Sequence, residues 1–267
     1  LLEQVVPDFM KEQGYAFAGE LNFDRDGNSI PVEKKVWKVN DKEVVFAISG
    51  FLFYEKVNGE RKDNIVYLTF YDQEHDIYLL SCYSPDDIKC EQVVNDLEKY
   101  AKANNCLRGA KLRDIDIHYS TFSIVQNDPK YTWNNYYYPD GIRELFDNEV
   151  FGFLKNTEKY NKYGINKRGL ILYGAPGTGK TSIGHIICNE VQGNTVIWIT
   201  PEMITRFMNS LKEFYQLADF VSPCIVILED LDLFGVDRDM GGDIHRLGTL
   251  MNILDGVNSI ANSVTIA

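Results

Sequence analysis

The chain has 267 residues, 45% hydrophobic and 25% charged, which is enough for two compact domains, each with its own core. Its formal net charge of −12 argues against a general nucleic-acid binder, which needs a cationic surface to displace phosphate counterions. No stretch approaches the roughly 18 apolar residues of a membrane span, and residues 1–10 lack the positive start of a signal peptide. In chain order, the first half reads as strands at 44–48, 51–57, 65–71 and 77–83, with the turn dipeptide Asn58-Gly59 in a loop running to Asn64. Ser84, Pro85, Asp86 and Asp87 make a helix start: Ser as N-cap, Pro at the first position, acids in the first turn. Val93, Val94, Leu97, Tyr100 and Ala101 then recur at helical spacing to about Asn104. Alternation over 114–125 predicts one further strand, so residues 1–130 read as an α+β domain with an antiparallel sheet.

Asn127, Asp128 and Pro129, with the aromatic and turn-rich run 133–141, mark the junction. Beyond it residues 131–267 alternate: helix 142–155, strand 170–173, helix 180–191, strand 195–199, helix 201–219, strand 224–228, helix 244–254, strand 263–267. Such alternation specifies an α/β domain whose parallel sheet is flanked by helices on both faces. Cys82, Cys90, Cys106, Cys188 and Cys224 are scattered, with no Cys-x-x-Cys. Structural disulfides and a zinc site are therefore not expected, and a cytoplasmic, reducing setting is.

Gly174, Ala175, Pro176, Gly177, Thr178, Gly179, Lys180 and Thr181 match the phosphate-loop pattern GxxxxGK[ST] without a gap. Glycines let backbone N–H groups curl around a phosphate, and the following helix, continuing at Ser182, points its positive end at the same anion. Lys180 is placed to reach the β- and γ-phosphates of ATP or ADP, and the Thr181 hydroxyl to ligate Mg²⁺. An apolar strand precedes the loop and a helical pattern follows it. About fifty residues later a run of apolar residues from Cys224 to Leu228 ends in Glu229 and Asp230. Carboxylates at the C-terminal end of a buried parallel strand lie where ligands bind in such sheets. This is the Walker B position, where Asp then Glu is the usual order. Here the order is reversed, giving Glu229 the Mg²⁺ shell and the shorter Asp230 the attacking water. The swapped pair is also compatible with binding ATP but hydrolysing it slowly.

These stretches, 167–181 with 222–232 and 250–257, resemble the AAA ATPases. The Glu-Asp order and the Leu-Asp-Gly-Val segment at 254–257 are similar to the branch containing the mitochondrial Rieske-protein translocase and its bacterial relatives. The resemblance covers roughly 138–267 and does not extend to residues 1–130. It implies a P-loop AAA core that hydrolyses ATP with Mg²⁺ in a homo-oligomeric ring. It also implies that Asp140, Gly141 and Ile142, with Ile165, lie beside the adenine, although core packing is an even alternative. Asp255 would act near the subunit interface or simply form a turn before Gly256. Phe207 and Met208 fall where the family carries a substrate-gripping pore loop, but Asn209 replaces its glycine; the alternative is the apolar face of helix 201–219. The loop 235–242 is either a second pore loop or a solvated connection. The family's sensor, arginine fingers and small helical lid would follow Ala267, so the 267-residue chain is expected to bind nucleotide and turn it over poorly.

The function expected is remodelling or translocation of a protein partner chosen by residues 1–130, with no membrane segment. A DNA-associated P-loop motor and a nucleotide-switched scaffold are the alternatives. The acidic charge favours protein over nucleic acid as the partner.

Overall fold

A computed structural model describes residues 2–24, 26–39, 42–58, 61–72, 77–84, 87–116, 121–203, 211–230 and 260–267. The chain divides into two compact units, Leu1–Cys106 and Leu107–Ala267. The first unit is α+β with an antiparallel sheet, and the second is α/β with a mostly parallel one.

In the first unit, strands β1 (Ala16–Phe23), β2 (Ser29–Ile30), β3 (Glu33–Val39), β4 (Lys42–Asn58), β5 (Arg61–Asp72) and β6 (Ile77–Tyr83) form one sheet. Its order is β2-β1-β4-β5-β6, with β3 also paired to β4. The strands expected at 44–48 and 51–57 are one continuous strand, β4. Gly50 (φ +128°) bends it without ending it. A Cβ there would sit 2.8 Å from Val32 Cγ2 and 3.0 Å from the Leu21 carbonyl oxygen, so only glycine fits where β4 passes from β3 to β5. The β4–β5 ladder runs down to Asn58↔Arg61, so the connection is shorter than the loop to Asn64 that was expected. Helices α1 (Val6–Glu12) and α2 (Asp87–Asn104) complete the unit. Each buries one stripe: Val6, Phe9 and Met10 from α1, Leu97 and Ala101 from α2. Phe9 meets Tyr100 at 5.4 Å between ring centres, and the Tyr100 hydroxyl donates to Glu12 Oε1 at 2.9 Å.

The second unit holds β7 (Lys111–Asp116), β8 (Thr121–Ile124), β9 (Lys167–Leu170), β10 (Thr195–Ile199), β11 (Cys224–Leu228) and β12 (Ser263–Ile266). They lie in the order β8-β7-β10-β11-β12-β9, with all neighbours parallel except β7 and β8. The boundary expected at 130/131 therefore moves to 106/107. Within the segment 114–125, read as one strand of the first sheet, residues 114–116 end β7 and residues 121–124 form β8, an antiparallel pair on the edge of the second sheet. Leu112 and Ile115 bury its inner side. The Gly109 N–H donates to Thr195 Oγ1, 86 residues downstream, and that hydroxyl donates to the Leu107 carbonyl. Alternation reveals a strand but not its partner, which is why the sequence pattern misplaced this one.

Every residue of β10 and β11 is buried, as a central parallel strand covered on both faces requires. The strand expected at 170–173 is displaced to Lys167–Leu170, although the ladder continues through the Leu172 N–H to the Ala267 carbonyl at 2.7 Å. The helix expected at 142–155 is interrupted. It runs as α3 (Ile142–Phe146), a wider π turn over Asp147–Gly152, and α4 (Phe153–Lys155), followed by α5 (Thr157–Asn161). Phe146, Val150 and Phe153 nevertheless all point into one core with Trp133, Ile186, Trp198 and Ile225. Helix α6 (Lys180–Glu190) covers that core, and α7 (Leu211–Phe220) buries Phe214 and Ala218. Among the described residues, no helix is long and apolar enough to cross a membrane.

Candidate functional site

The turn between β9 and α6 carries the 174–181 loop. Gly179 caps α6 with φ +91°, and a Cβ there would also meet the Tyr138 ring at 3.1–3.5 Å, so glycine is required on both counts. The Tyr138 hydroxyl donates to the Gly179 carbonyl at 3.2 Å, and the Ile183 N–H takes the same carbonyl at 3.0 Å to begin the helix. Thr178 Oγ1 donates to the Ala175 carbonyl at 2.8 Å and ties the loop across itself. Lys180 Nζ donates to the carbonyls of Gly174 (2.8 Å) and Ala175 (3.1 Å), so its ammonium is held over the loop. The loop thus carries a lysine ammonium at the start of an 11-residue helix, whose first N–H groups favour an anion.

Strand register explains what faces that loop. Val196 pairs with Lys111 and Ile197 with Leu112, while Trp198 pairs with Ile227 and Ile199 with Leu228. One further step sets Arg113 beside Trp198, and alternation puts Arg113, Trp198, Ile227 and Glu229 on one face of the sheet. That is the face α6 covers: a Cβ on Gly184 would lie 2.8 Å from Trp198 Cη2. At the end of β11 the Glu229 N–H still donates to the Ile199 carbonyl at 3.0 Å. Asp230 then turns with φ +47°, a left-handed conformation uncommon outside glycine that ends the strand with an exposed carboxylate.

A cleft of about 340 Å³ lies between loop and strand end, and Gly174, Lys180, Thr181, Glu229 and Asp230 all line it. Pro176 lines it as well, whereas Ala175, Gly177, Thr178, Gly179 and Ser182 shape the loop and helix start behind it. Asp140, Gly141, Ile142 and Ile165 are outside that lining; Ile142 and Ile165 pack against the hydrophobic core. Phe207, Met208 and Asp255, with the loop 235–242, lie outside the described residues. Among the described residues, no group of three or more His, Cys, Asp or Glu side chains could cage a metal. Mg²⁺ needs no such cage, since it takes one or two carboxylates, keeps several waters and shares substrate phosphates. The all-oxygen set of Thr181, Glu229 and Asp230 along one cleft fits that chemistry.

Several residues around the cleft carried no motif. The segment before α3 lies on α6 as a run of rings: Tyr131 on His185 (4.3 Å between centres, 15° between planes), His185 on Trp198 (4.7 Å) and Tyr136 on Tyr131 (5.9 Å). The Trp133 Nε1–H donates to Glu190 Oε2 at 2.9 Å and fastens the segment to the far end of the helix. Burial holds the His185 pKa below its usual value, with the Arg113 and Lys130 charges pushing the same way against Asp128. Arg113 sits over the Trp198 ring at 5.4 Å, and its Nη2 donates to Glu229 Oε2 at 3.5 Å. The tyrosine cluster was visible in the sequence only as a junction. A lone Arg113 on β7, one strand in from the sheet edge, gave no signal at all.

Residues 170–267 match the model of the ATPase family associated with various cellular activities (AAA). Over 157 residues, 54% of its length, the chain is 26% identical to the ATP-dependent zinc metalloprotease FtsH 2 of Thermoanaerobacter sp. (strain X514), covering 31% of that protein. A protein named as a candidate ribosome biogenesis ATPase (nvl) in Dictyostelium discoideum is 29% identical over 120 residues, covering 43% of this chain and 14% of that one. A candidate homologue of 26S proteasome regulatory subunits in Methanocaldococcus jannaschii is 29% identical over 126 residues, 44% of this chain and 33% of that one. The chain therefore spans about a third or less of the length of these relatives. Phosphate loop, acid-tipped parallel strand and family match coincide in residues 170–267, the part of the chain that is similar to the AAA ATPases.

Proposed function

We propose that this chain binds ATP with Mg²⁺ in the cleft between the 174–181 loop and the end of β11, and hydrolyses it to remodel or translocate a protein partner within a homo-oligomeric ring. The observation that carries the reading is that Lys180, Thr181, Glu229 and Asp230, far apart in sequence, line one cleft. The loop amides at the start of α6 receive the phosphates, and Lys180 exchanges the Gly174 and Ala175 carbonyls for phosphate oxygens. Thr181 and Glu229 are the residues that would hold Mg²⁺, which when bound neutralises phosphate charge. Asp230 orients the attacking water, its left-handed turn directing the carboxylate outward at the strand end.

Phe207 and Met208 would grip the substrate, and Asp255 would lie toward a neighbouring subunit. Asp140, Gly141 and Ile142 would border the base. The first unit, 1–106, selects the partner, and the net charge of −12 supports protein rather than nucleic acid in that role, in a cytoplasmic setting. The relatives named for proteolysis and for proteasome regulation support the same direction.

Calorimetric titration of Mg-ATP into the wild-type chain and Lys180→Ala tests the site. Saturable binding is expected for wild type, and a loss of at least about tenfold in affinity for the variant, the worth of one charge-assisted contact. Absence of binding by folded wild-type protein would refute the reading. Stimulation of turnover by an unfolded polypeptide but not by single-stranded DNA is the result expected for the partner class.

A further inference from the structure

We infer that Arg113, which lies outside the family-matched segment, is a positioning residue for Glu229: it holds that carboxylate at the mouth of the cleft in the orientation the metal requires. The inference rests on the proposed Mg-ATP site and adds a residue to it. Three features of the structure carry it. The first is placement. Arg113 comes from β7, two strands away from β11, and its side chain crosses the end of β10 on the same face as the phosphate loop. The second is support. The guanidinium lies over the Trp198 ring at 5.4 Å, and Trp198 is completely buried, so the arginine rests on a surface that cannot move aside. The third is shelter. The Arg113–Glu229 pair has side-chain exposures of 34% and 15%, against 79% and 62% for a solvent pair such as Lys38–Glu43. Exposed pairs hold their partners weakly because water and salt compete, whereas a sheltered, charge-assisted contact fixes a rotamer.

Glu229 has a flexible side chain at the end of a strand. Without a partner it would sample orientations facing away from Thr181. The contact engages Oε2 and leaves Oε1 available to a ligand in the cleft that Glu229 lines, which is how an outer-shell partner holds a ligating carboxylate. The backbone reinforces it from below, since the hairpin is fixed to β10 by ladder bonds and by the Gly109 N–H and Leu107 carbonyl bonds to Thr195.

The test is the gain in ATP affinity on adding Mg²⁺, measured by calorimetry in EDTA and in Mg²⁺, for wild type, Arg113→Met, Arg113→Lys, Glu229→Gln and the Arg113→Met/Glu229→Gln pair. The Met variant keeps an apolar stem on Trp198; Arg113→Gln replaces it if thermal melts show that it does not fold. Outer-shell partners of metal ligands are worth about 10–100-fold, so the Met variant is expected to lose about tenfold or more of the Mg²⁺ gain. Its affinity in EDTA should stay within about twofold, and Arg113→Lys should recover part of the loss. The double variant should lose no more than Glu229→Gln alone, because the two residues act as a unit. Wild-type binding with an undiminished Mg²⁺ gain in Arg113→Met overturns this inference and leaves the ATP site standing. So does a double loss equal to the product of the single ones, or a wild-type affinity that Mg²⁺ does not raise. Folded wild-type protein that binds no ATP overturns the site itself, and Arg113's role with it.

Discussion

Gly184 is the residue whose replacement the structure judges most sharply. It sits in the second turn of α6, where alanine normally raises helix stability by about 1 kcal/mol over glycine. At this position a Cβ would meet Trp198 at 2.8, 3.2 and 3.3 Å, all on the six-membered ring of an indole with no exposed surface. The ring cannot retreat. Its face supports Arg113 on one side and contacts His185 on another. Helix and sheet must therefore separate, and overpacking of this kind costs about 1–3 kcal/mol. With the upper part of that range set against the helix gain, Gly184→Ala should destabilise by about 1–2 kcal/mol. For a unit of this size that is a fall of roughly 2–8 °C in Tm. Gly169→Ala is the control, since a Cβ there meets nothing within 4 Å, and its effect should stay within about 0.5 kcal/mol. Circular dichroism melts of the three proteins decide the matter. A Gly184→Ala variant as stable as wild type would refute the claim that α6 and β10 are held at contact distance by the missing side chain.

Asp230 and His185 give two further expectations. Asp230→Gly removes a left-handed conformation that costs a non-glycine residue about 1 kcal/mol, so the variant should melt no lower than wild type while the chain's slow single-turnover ATP hydrolysis falls further. A lower Tm with turnover intact would reverse the assignment. His185 has its pKa depressed by burial first and by the Arg113 and Lys130 charges second, so folding favours its neutral form. Its contribution to stability is present above the unfolded pKa of about 6.5 and is lost as the pH falls through that region. Melts between pH 7.5 and 5 should show wild type losing stability more steeply than His185→Phe; parallel curves would count against the stacked neutral imidazole.

The second half of the fold was legible because its signals are local. The apolar run ending at Glu229, the glycines from 174 to 179 and the helical pattern after Lys180 each specify an element without reference to a distant partner. What escaped depends on pairings the chain makes across long separations. The 114–125 segment shows the alternation of a strand, yet nothing within it says that it continues a strand paired with β10 rather than β6. Residues 42–58 contain Ser49 and Gly50, which read as a break, because a bend inside a continuous strand and a turn between two strands use the same residue. The helix α1 and the strands β1 to β3 gave no reading. In β1 only Asn22 is buried, with hydrogen bonds to the Pro31 carbonyl and Ser49 Oγ, so the usual apolar alternation is weak there. At the site the loop and the acids were found by motif. Arg113, Tyr138 and His185 act through geometry that only the assembled sheet creates.

This difference bears on where the nucleotide-binding body begins. The family match starts at residue 170, but the core under α6 does not. Trp133, Phe146, Val150 and Phe153 pack with Ile183, Ile186, Trp198 and Ile225, and all of the first four precede the matched segment. The P-loop itself leans on Tyr138 through Gly179, and Glu229 leans on Arg113. Burying a large apolar side chain contributes about 1.5–3 kcal/mol, so these four core residues together rival the whole net stability of a domain. The smallest body able to hold the cleft in shape is therefore the second unit from Leu107, and residues 107–169 belong to the site as much as the loop does. The hairpin that pairs with β10 supplies the cation beside the acid, and the tyrosine run supplies the hydroxyl behind the loop. A motif names the atoms that meet the phosphate; the flanking chain sets where those atoms stand.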